Sequence, residues 1–110
     1  MRSYVYVVVR ADLSLEQQAV QACHAAFEAG SRFGPRSEAE NRESSNLVLL
    51  RVRNQDELFA LHLRLEDADI QTAMFFEEDD DAGETAFATA PLQDAPRVFF
   101  RKLPMWTASS

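Results

Sequence analysis

The sequence predicts a single α/β domain with a four-stranded mixed sheet of three parallel strands plus one antiparallel, helices on both faces, and the order strand, helix, strand, helix, strand, strand, short helix. Three observations carry this expectation. Strand-like and helix-like segments alternate twice before two strand-like segments follow one another, which is the pattern of right-handed crossovers ending in a hairpin. Both helix-like segments open with a capping box. A chain of 110 residues that is 46% apolar has enough material for one core and not for two. Residues 1–106 are read as the domain and 107–110 as a tail.

The first strand is Tyr4-Val5-Tyr6-Val7-Val8-Val9-Arg10. Its unbroken β-branched and aromatic run predicts burial on both faces, as in the middle of a parallel sheet. Ser14 followed three residues later by Gln17 caps a helix running to about Phe33. On that helix Gln17, Gln21, His24 and Glu28 share one stripe. Beside them Ala19, Ala22, Ala26 and Ala29 form a small-residue stripe against which the sheet can approach closely. Cys23 is read as a small core residue. Cys23 and His24 are adjacent, so their side chains diverge by about 100° and cannot form a nucleophile-base pair.

Gly30 to Asn46 holds Gly34-Pro35 and a polar mixture, and reads as a long loop. Leu47 to Arg53 is the second strand. Asn54 caps a second helix, with Glu57 in the capping-box position and Leu58, Leu61, Leu65 and Ala68 at helical spacing. His62 sits among leucines and reads as a half-exposed structural histidine. Ile70 to Phe76 and Thr85 to Ala90 read as the third and fourth strands, separated by an acidic loop. Ala95 to Leu103 reads as a short helix or turn, with Val98, Phe99 and Leu103 packed and Arg97, Arg101 and Lys102 exposed.

Eighteen acids against 11 bases give a net charge of −7. That sign disfavours DNA and unspecific nucleic-acid binding, because phosphate contacts supply most of such affinity. Six of the 18 acids lie in Glu77-Glu78-Asp79-Asp80-Asp81 and Glu84, so a local basic surface is compatible with the total. No run of 18 apolar residues is present and the N-terminus does not follow the signal-peptide pattern. A soluble, cytoplasmic protein that does not engage membranes is therefore expected.

In open sheets of this kind ligands sit beyond the carboxyl ends of the parallel strands. Arg10, Asp12, Gln17, Gln21 and Asp79 all fall at that end. The acidic run departs from the calcium-loop pattern, so no metal site is expected and the loop reads as hydrated. No phosphate-binding glycine loop, serine elbow, paired-cysteine motif or zinc-protease helix occurs. Covalent serine or cysteine catalysis and zinc chemistry are thus disfavoured, and no cofactor is expected.

Val8-Val9-Arg10-Ala11-Asp12-Leu13, followed by Gln21-Ala22-Cys23-His24-Ala25-Ala26, resembles the opening of the type II peptidyl-tRNA hydrolases. The similarity extends with gaps from about Tyr6 to Leu103, and Phe75, Glu77, Asp79 and Thr85 to Leu92 resemble a compact phage- and bacteria-type branch. The resemblance implies cofactor-free hydrolysis of the ester joining a peptidyl or acyl group to tRNA, with peptidyl-tRNA as partner and a homodimer as the assembly.

Carried over by position, the family's helix residues fall on Gln21 and His24, its loop aspartate on Asp79 and its threonine on Thr85. Asp81-Ala82-Gly83-Glu84-Thr85 offers Asp81 as a second alignment for the aspartate. Gln17 stands where the family has a lysine, so a neutral donor replaces a cation there. On this reading Asp79, His24, Gln17 and Thr85 are catalytic, and Gln21, Arg10 and Arg97 bind substrate, with the two arginines meeting phosphates. The other reading is a non-catalytic module of the same fold that binds a protein or small ligand through the groove or the Trp106 end.

Overall fold

The computed structural model describes residues 3–34, 46–93 and 98–107. Most of the loop expected between Gly30 and Asn46, together with Arg97 and most of the C-terminal tail, lies outside the described residues. Strand β1 (Tyr4–Arg10) leads into α1 (Leu15–Phe33), followed by β2 (Asn46–Val52), α2 (Gln55–Asp67), β3 (Thr72–Glu77) and β4 (Gly83–Thr89). Both N-cap bonds form: the Ser14 hydroxyl accepts from the Gln17 amide at 3.1 Å and Asn54 accepts from the Glu57 amide at 3.0 Å, while the Glu57 carboxylate reaches back to the Arg53 amide at 3.1 Å.

The sheet order is β2-β1-β4-β3, and this corrects the expected run of three parallel strands. Only β1 and β2 pair in parallel; β1 with β4, and β4 with β3, pair antiparallel. The third strand keeps the direction of the first but never touches it, because β4 inserts between them. The physical reason is the composition of β4. Thr85, Ala86, Phe87, Ala88 and Thr89 are all fully buried, so the strand belongs in the sheet's centre rather than at an edge.

The two faces carry separate cores. On one, Tyr6, Val8, Leu50, Val52 and Phe87 meet Leu58, Leu61 and Leu65 of α2; on the other, Val7, Val9, Ala73, Ala86 and Ala88 meet Ala22, Ala25 and Ala29 of α1. Helices therefore cover both faces, as expected. The alanine-lined side lets α1 lie close to the sheet. Its buried stripe is Gln18, Gln21, Ala22, Ala25 and Ala29, one face around from the predicted one. Cys23 is consequently exposed and is not a core residue.

The expected C-terminal short helix or turn is, among the described residues, 3-10 at Val98 and Phe99 and then a turn in which the Leu103 amide donates to the Phe100 carbonyl at 2.9 Å. Phe100, rather than Val98, is the buried anchor, stacked on Tyr6 with ring centroids 4.1 Å apart. Beyond it Pro104 and Trp106 exchange backbone hydrogen bonds with Arg51 and Leu49 of β2. This cover partly protects an edge strand. The Trp106 indole donates to Gln18 Oε1 at 2.7 Å, which ties the half-buried Trp106 to α1.

One irregularity positions the site. Phe75 pairs with Ala86 but Phe76 pairs with Glu84, which leaves Thr85 as the extra residue of a β-bulge. Strict alternation would turn Thr85 to the α2 face with Phe87; the bulge turns it to the α1 face with Ala86. Just before it, Gly83 has φ +72°, a conformation that costs other residues about 1–2 kcal/mol. An added Cβ would also come within 2.8 Å of Gln55 Nε2, the movable end of a side chain. Gly83→Ala is therefore expected to lower stability by about 1–2 kcal/mol in chemical denaturation. A neutral result would mean that the turn relaxes to negative φ.

Candidate functional site

At the carboxyl ends of β1 and β3, and the start of α1, a cleft of about 300 Å³ is lined by Arg10, Leu13, Gln17, Glu77, Asp79, Asp81 and Ala82. Behind it runs a hydrogen-bonded relay. The buried Thr85 hydroxyl donates to Gln21 Oε1 at 3.0 Å, with the Phe75 carbonyl as a longer contact at 3.4 Å. Gln21 Nε2 donates in turn to Gln17 Oε1 and to Glu77 Oε2, each at 3.0 Å. Gln21, only 1% exposed, thus spends both amide hydrogens and its oxygen inside the protein. Because Gln17 accepts through its oxygen, its own amide hydrogens remain for the cleft.

Glu77 closes the relay at the surface. Its second oxygen accepts from the Asp79 amide at 3.1 Å, which fixes the start of the short 3-10 turn Asp79–Asp81. That amide, and then the Gln21 side chain, hold the Glu77 carboxyl below its ordinary range. It is therefore an ionised acceptor at neutral pH. Asp79 is exposed at the cleft, and its carboxylate has no hydrogen-bond partner among the described residues. His24 is exposed as well, yet ordered, its ring lying parallel to Phe75 at 4.3 Å.

Arg10 lies at the cleft but is not free. Nε and one terminal nitrogen form a fork on Asp12, both at 2.9 Å, while the other terminal nitrogen donates to the carbonyls of Ala82 and of Glu84, the latter at 3.1 Å. These bonds form an internal clamp that ties the acidic turn to β1. Bonding to Arg10 is the main cause holding the Asp12 carboxyl below its usual range. Arg97 lies outside the described residues. Among the described residues, no group of three or more histidines, cysteines and acids is arranged to hold a metal ion, and no helix is long and apolar enough to cross a membrane.

Of the expected site residues, Arg10, Gln17 and Asp79 line the cleft and Gln21 and Thr85 stand behind it, whereas His24 does not line it. Glu77 and Gln18 were missed in the sequence. Glu77 is hidden within the acidic run, although alternation along Ala73, Phe75 and Glu77 puts it on the α1 face. Gln18 is buried, and its amide nitrogen caps the Ala11 and Leu13 carbonyls at 3.2 and 2.7 Å. His62 is the structural histidine expected, held between Thr72 at 3.0 Å and Glu66 at 2.6 Å.

The carboxylates give a pH prediction. The pKa values of Asp12 and Glu77 are depressed in the folded state, so their stabilisation is complete above the unfolded values and is lost as pH falls through the folded ones. Stability is expected to decline below about pH 4. Denaturation curves of Glu77→Gln should show a shallower acid limb than wild type; an unchanged limb would remove Glu77 from the linkage.

The peptidyl-tRNA hydrolase PTH2 family model matches residues 3–95. A search of curated proteins found no match. Among solved structures, a protein of unknown function from Agrobacterium tumefaciens is similar at a TM-score of 0.73 and 17% identity, over 97% of this chain and 99% of that one. At that identity the likeness speaks for the fold alone.

Proposed function

The chain belongs to the peptidyl-tRNA hydrolase PTH2 family, and from that premise we propose that it hydrolyses, without a cofactor, the ester joining a peptidyl or acyl group to tRNA. The observation that carries this reading is the relay Thr85–Gln21–Glu77 fixed behind a cleft that presents Gln17 and Asp79. Water attacks the ester carbonyl while the Asp79 carboxylate takes its proton. The tetrahedral oxyanion meets the amide of Gln17. Collapse expels the ribose oxygen, which recovers the proton from Asp79. Gln21 and Thr85 act as positioning residues, since both are buried and saturated. His24 stands outside the cleft lining, its ring stacked on Phe75, and Arg10 holds the turn that follows Asp79.

Single-turnover hydrolysis of an N-blocked aminoacyl-tRNA tests this reading. Wild-type rates at the uncatalysed background would sink it. Gln17→Lys replaces a neutral donor by a charged one, a difference of about 1 kcal/mol per hydrogen bond, and is expected to raise the rate roughly fivefold.

A second reading rests on a different observation. Ala19, Val20, Cys23, His24 and Phe27 form an apolar groove of about 540 Å³ on the outer side of α1, with Phe27 76% exposed. In that reading the fold is a binding module and the groove takes an apolar protein segment. Full hydrolytic activity in Phe27→Ser together with lost partner binding would separate the two roles.

A further inference from the structure

The catalytic cleft cannot hold the phosphates of an RNA substrate. Glu77, Asp79 and Asp81 line it, and the one cation among its described lining residues, Arg10, is already clamped by Asp12 and two carbonyls. If a polyanion is to approach this end of the sheet, the compensating charge must lie elsewhere.

Such charge is present on the other side of the end of β1. A second cleft, of about 460 Å³, is lined by Ala11, Arg51, Val52, Arg53, Glu57, Lys102, Leu103 and Pro104. Three of the seven lysines and arginines among the described residues (Arg10, Arg32, Arg51, Arg53, Arg64, Arg101 and Lys102) line it, in a chain of net charge −7. The only acid among its described lining residues is Glu57, which pairs with Arg53 at 2.8 Å. That Arg53 side chain is 88% exposed, and a pair so exposed opens at little cost. Arg51 and Lys102 have no salt-bridge partner among the described residues, and Arg101 is exposed beside Lys102.

The fold fixes where this cleft sits. Residues 101–104 fold back along β2, with Pro104 accepting from the Arg51 amide, and bring Lys102 against the carboxyl end of that strand. Ala11, which donates to the Val52 carbonyl at 2.8 Å, lines the basic cleft, while Arg10 and Leu13 line the catalytic one. The two clefts thus flank the end of β1. Arg51 of the edge strand β2 and Glu77 of the edge strand β3 lie three strand spacings apart, roughly 14 Å, more than the Debye length of about 8 Å at physiological salt. A positive and a negative field can therefore coexist at one end of one sheet.

We propose that the cleft of Arg51, Arg53 and Lys102 is the docking site for the phosphodiester backbone of an RNA whose acylated end reaches the Gln17–Asp79 cleft. The identity of the RNA end rests on the hydrolase reading; the phosphate site does not. Arg51 and Arg53 supply forked donors suited to phosphate oxygens, and Lys102 supplies a point charge. Binding is confined to one edge of the protein, and the acidic remainder repels misplaced backbone.

The test measures binding of a fluorescent, unacylated RNA hairpin with a single-stranded 3′ end as salt is varied. Arg51→Glu and Lys102→Glu are each expected to weaken binding at least tenfold and to flatten the slope of log affinity against log salt by about 0.7 for each phosphate no longer neutralised. Arg32→Glu makes the same change in net charge away from the cleft and is expected to bind as wild type does. Loss of affinity equal in all three variants, or no loss in any, overturns the proposal. So does equally tight, equally cleft-dependent binding of an acidic peptide, which would make the occupant a protein. Charge-dependent RNA binding by a protein that cleaves no ester would uphold this site while removing the hydrolase reading. Hydrolysis of an N-blocked aminoacyl ester of adenosine, which has no phosphate, is expected to be unchanged in Arg51→Glu and Lys102→Glu.

Discussion

Asp79→Asn is expected to slow single-turnover hydrolysis of an N-blocked aminoacyl-tRNA about 10²- to 10⁴-fold while leaving RNA affinity unchanged. Asparagine keeps the size and one oxygen of the side chain but cannot take a proton from water. Asp79 suits the role because its backbone amide is anchored on Glu77 while its carboxylate faces the cleft with no partner among the described residues. Glu77 does not suit it. Bonding to the Asp79 amide and to Gln21 depresses its pKa and makes it a weaker base.

Asp81 lines the same cleft from a left-handed backbone position, φ 52°. It is the other candidate for the role. Asp81→Asn is expected to keep a rate near wild type. The reverse pattern, with Asp81→Asn collapsing the rate and Asp79→Asn tolerated, would reassign proton transfer to Asp81 and shift the alignment of the whole turn.

What the sequence revealed and what it hid follow from the range of each interaction. The helix starts were legible because the N-cap signal is contained in four residues, and the caps formed as read at Ser14 and Asn54. Strand positions were legible from apolar runs. Strand order was not, since it depends on which strand most needs burial on both faces. The fully buried Thr85–Thr89 run of β4 wins that place over β3, whose Phe76 is 57% exposed.

The bulge at Thr85 was equally hidden. Nothing in Glu84-Thr85-Ala86 marks an extra residue, yet that residue turns the threonine towards Gln21 and makes the relay possible. A cation at a strand's carboxyl end ordinarily faces ligand, and nothing local in the sequence reveals the internal partners of Arg10. The Asp12 fork and the returning turn that neutralise it come from two residues and more than seventy residues away along the chain. The basic cleft went unread for the same reason, as Lys102 meets Arg51 only through the return of the C-terminal segment along β2.

Arg10→Met is expected to lower folding stability by about 2–4 kcal/mol, the largest loss from any site residue. The guanidinium side chain is 11% exposed and Asp12 is 40% exposed. On removal of the arginine the carboxylate can rehydrate, so most of the loss comes from the Ala82 and Glu84 carbonyls left without their donor, at about 1–3 kcal/mol for each one that stays dry. Arg10→Lys should recover less than half, because a single ammonium cannot hold the Asp12 fork and the turn at once.

A double-mutant cycle with Asp12→Asn in urea denaturation separates the two parts. A coupling energy well below the total loss is expected, since the turn's share is independent of Asp12. Activity should fall further than the folded fraction does, because the segment that Arg10 ties down begins at Asp79. If Arg10→Met lost stability while its folded molecules kept wild-type turnover, the clamp would be structural only. Asp79 would then owe its position to the Glu77 carboxylate alone.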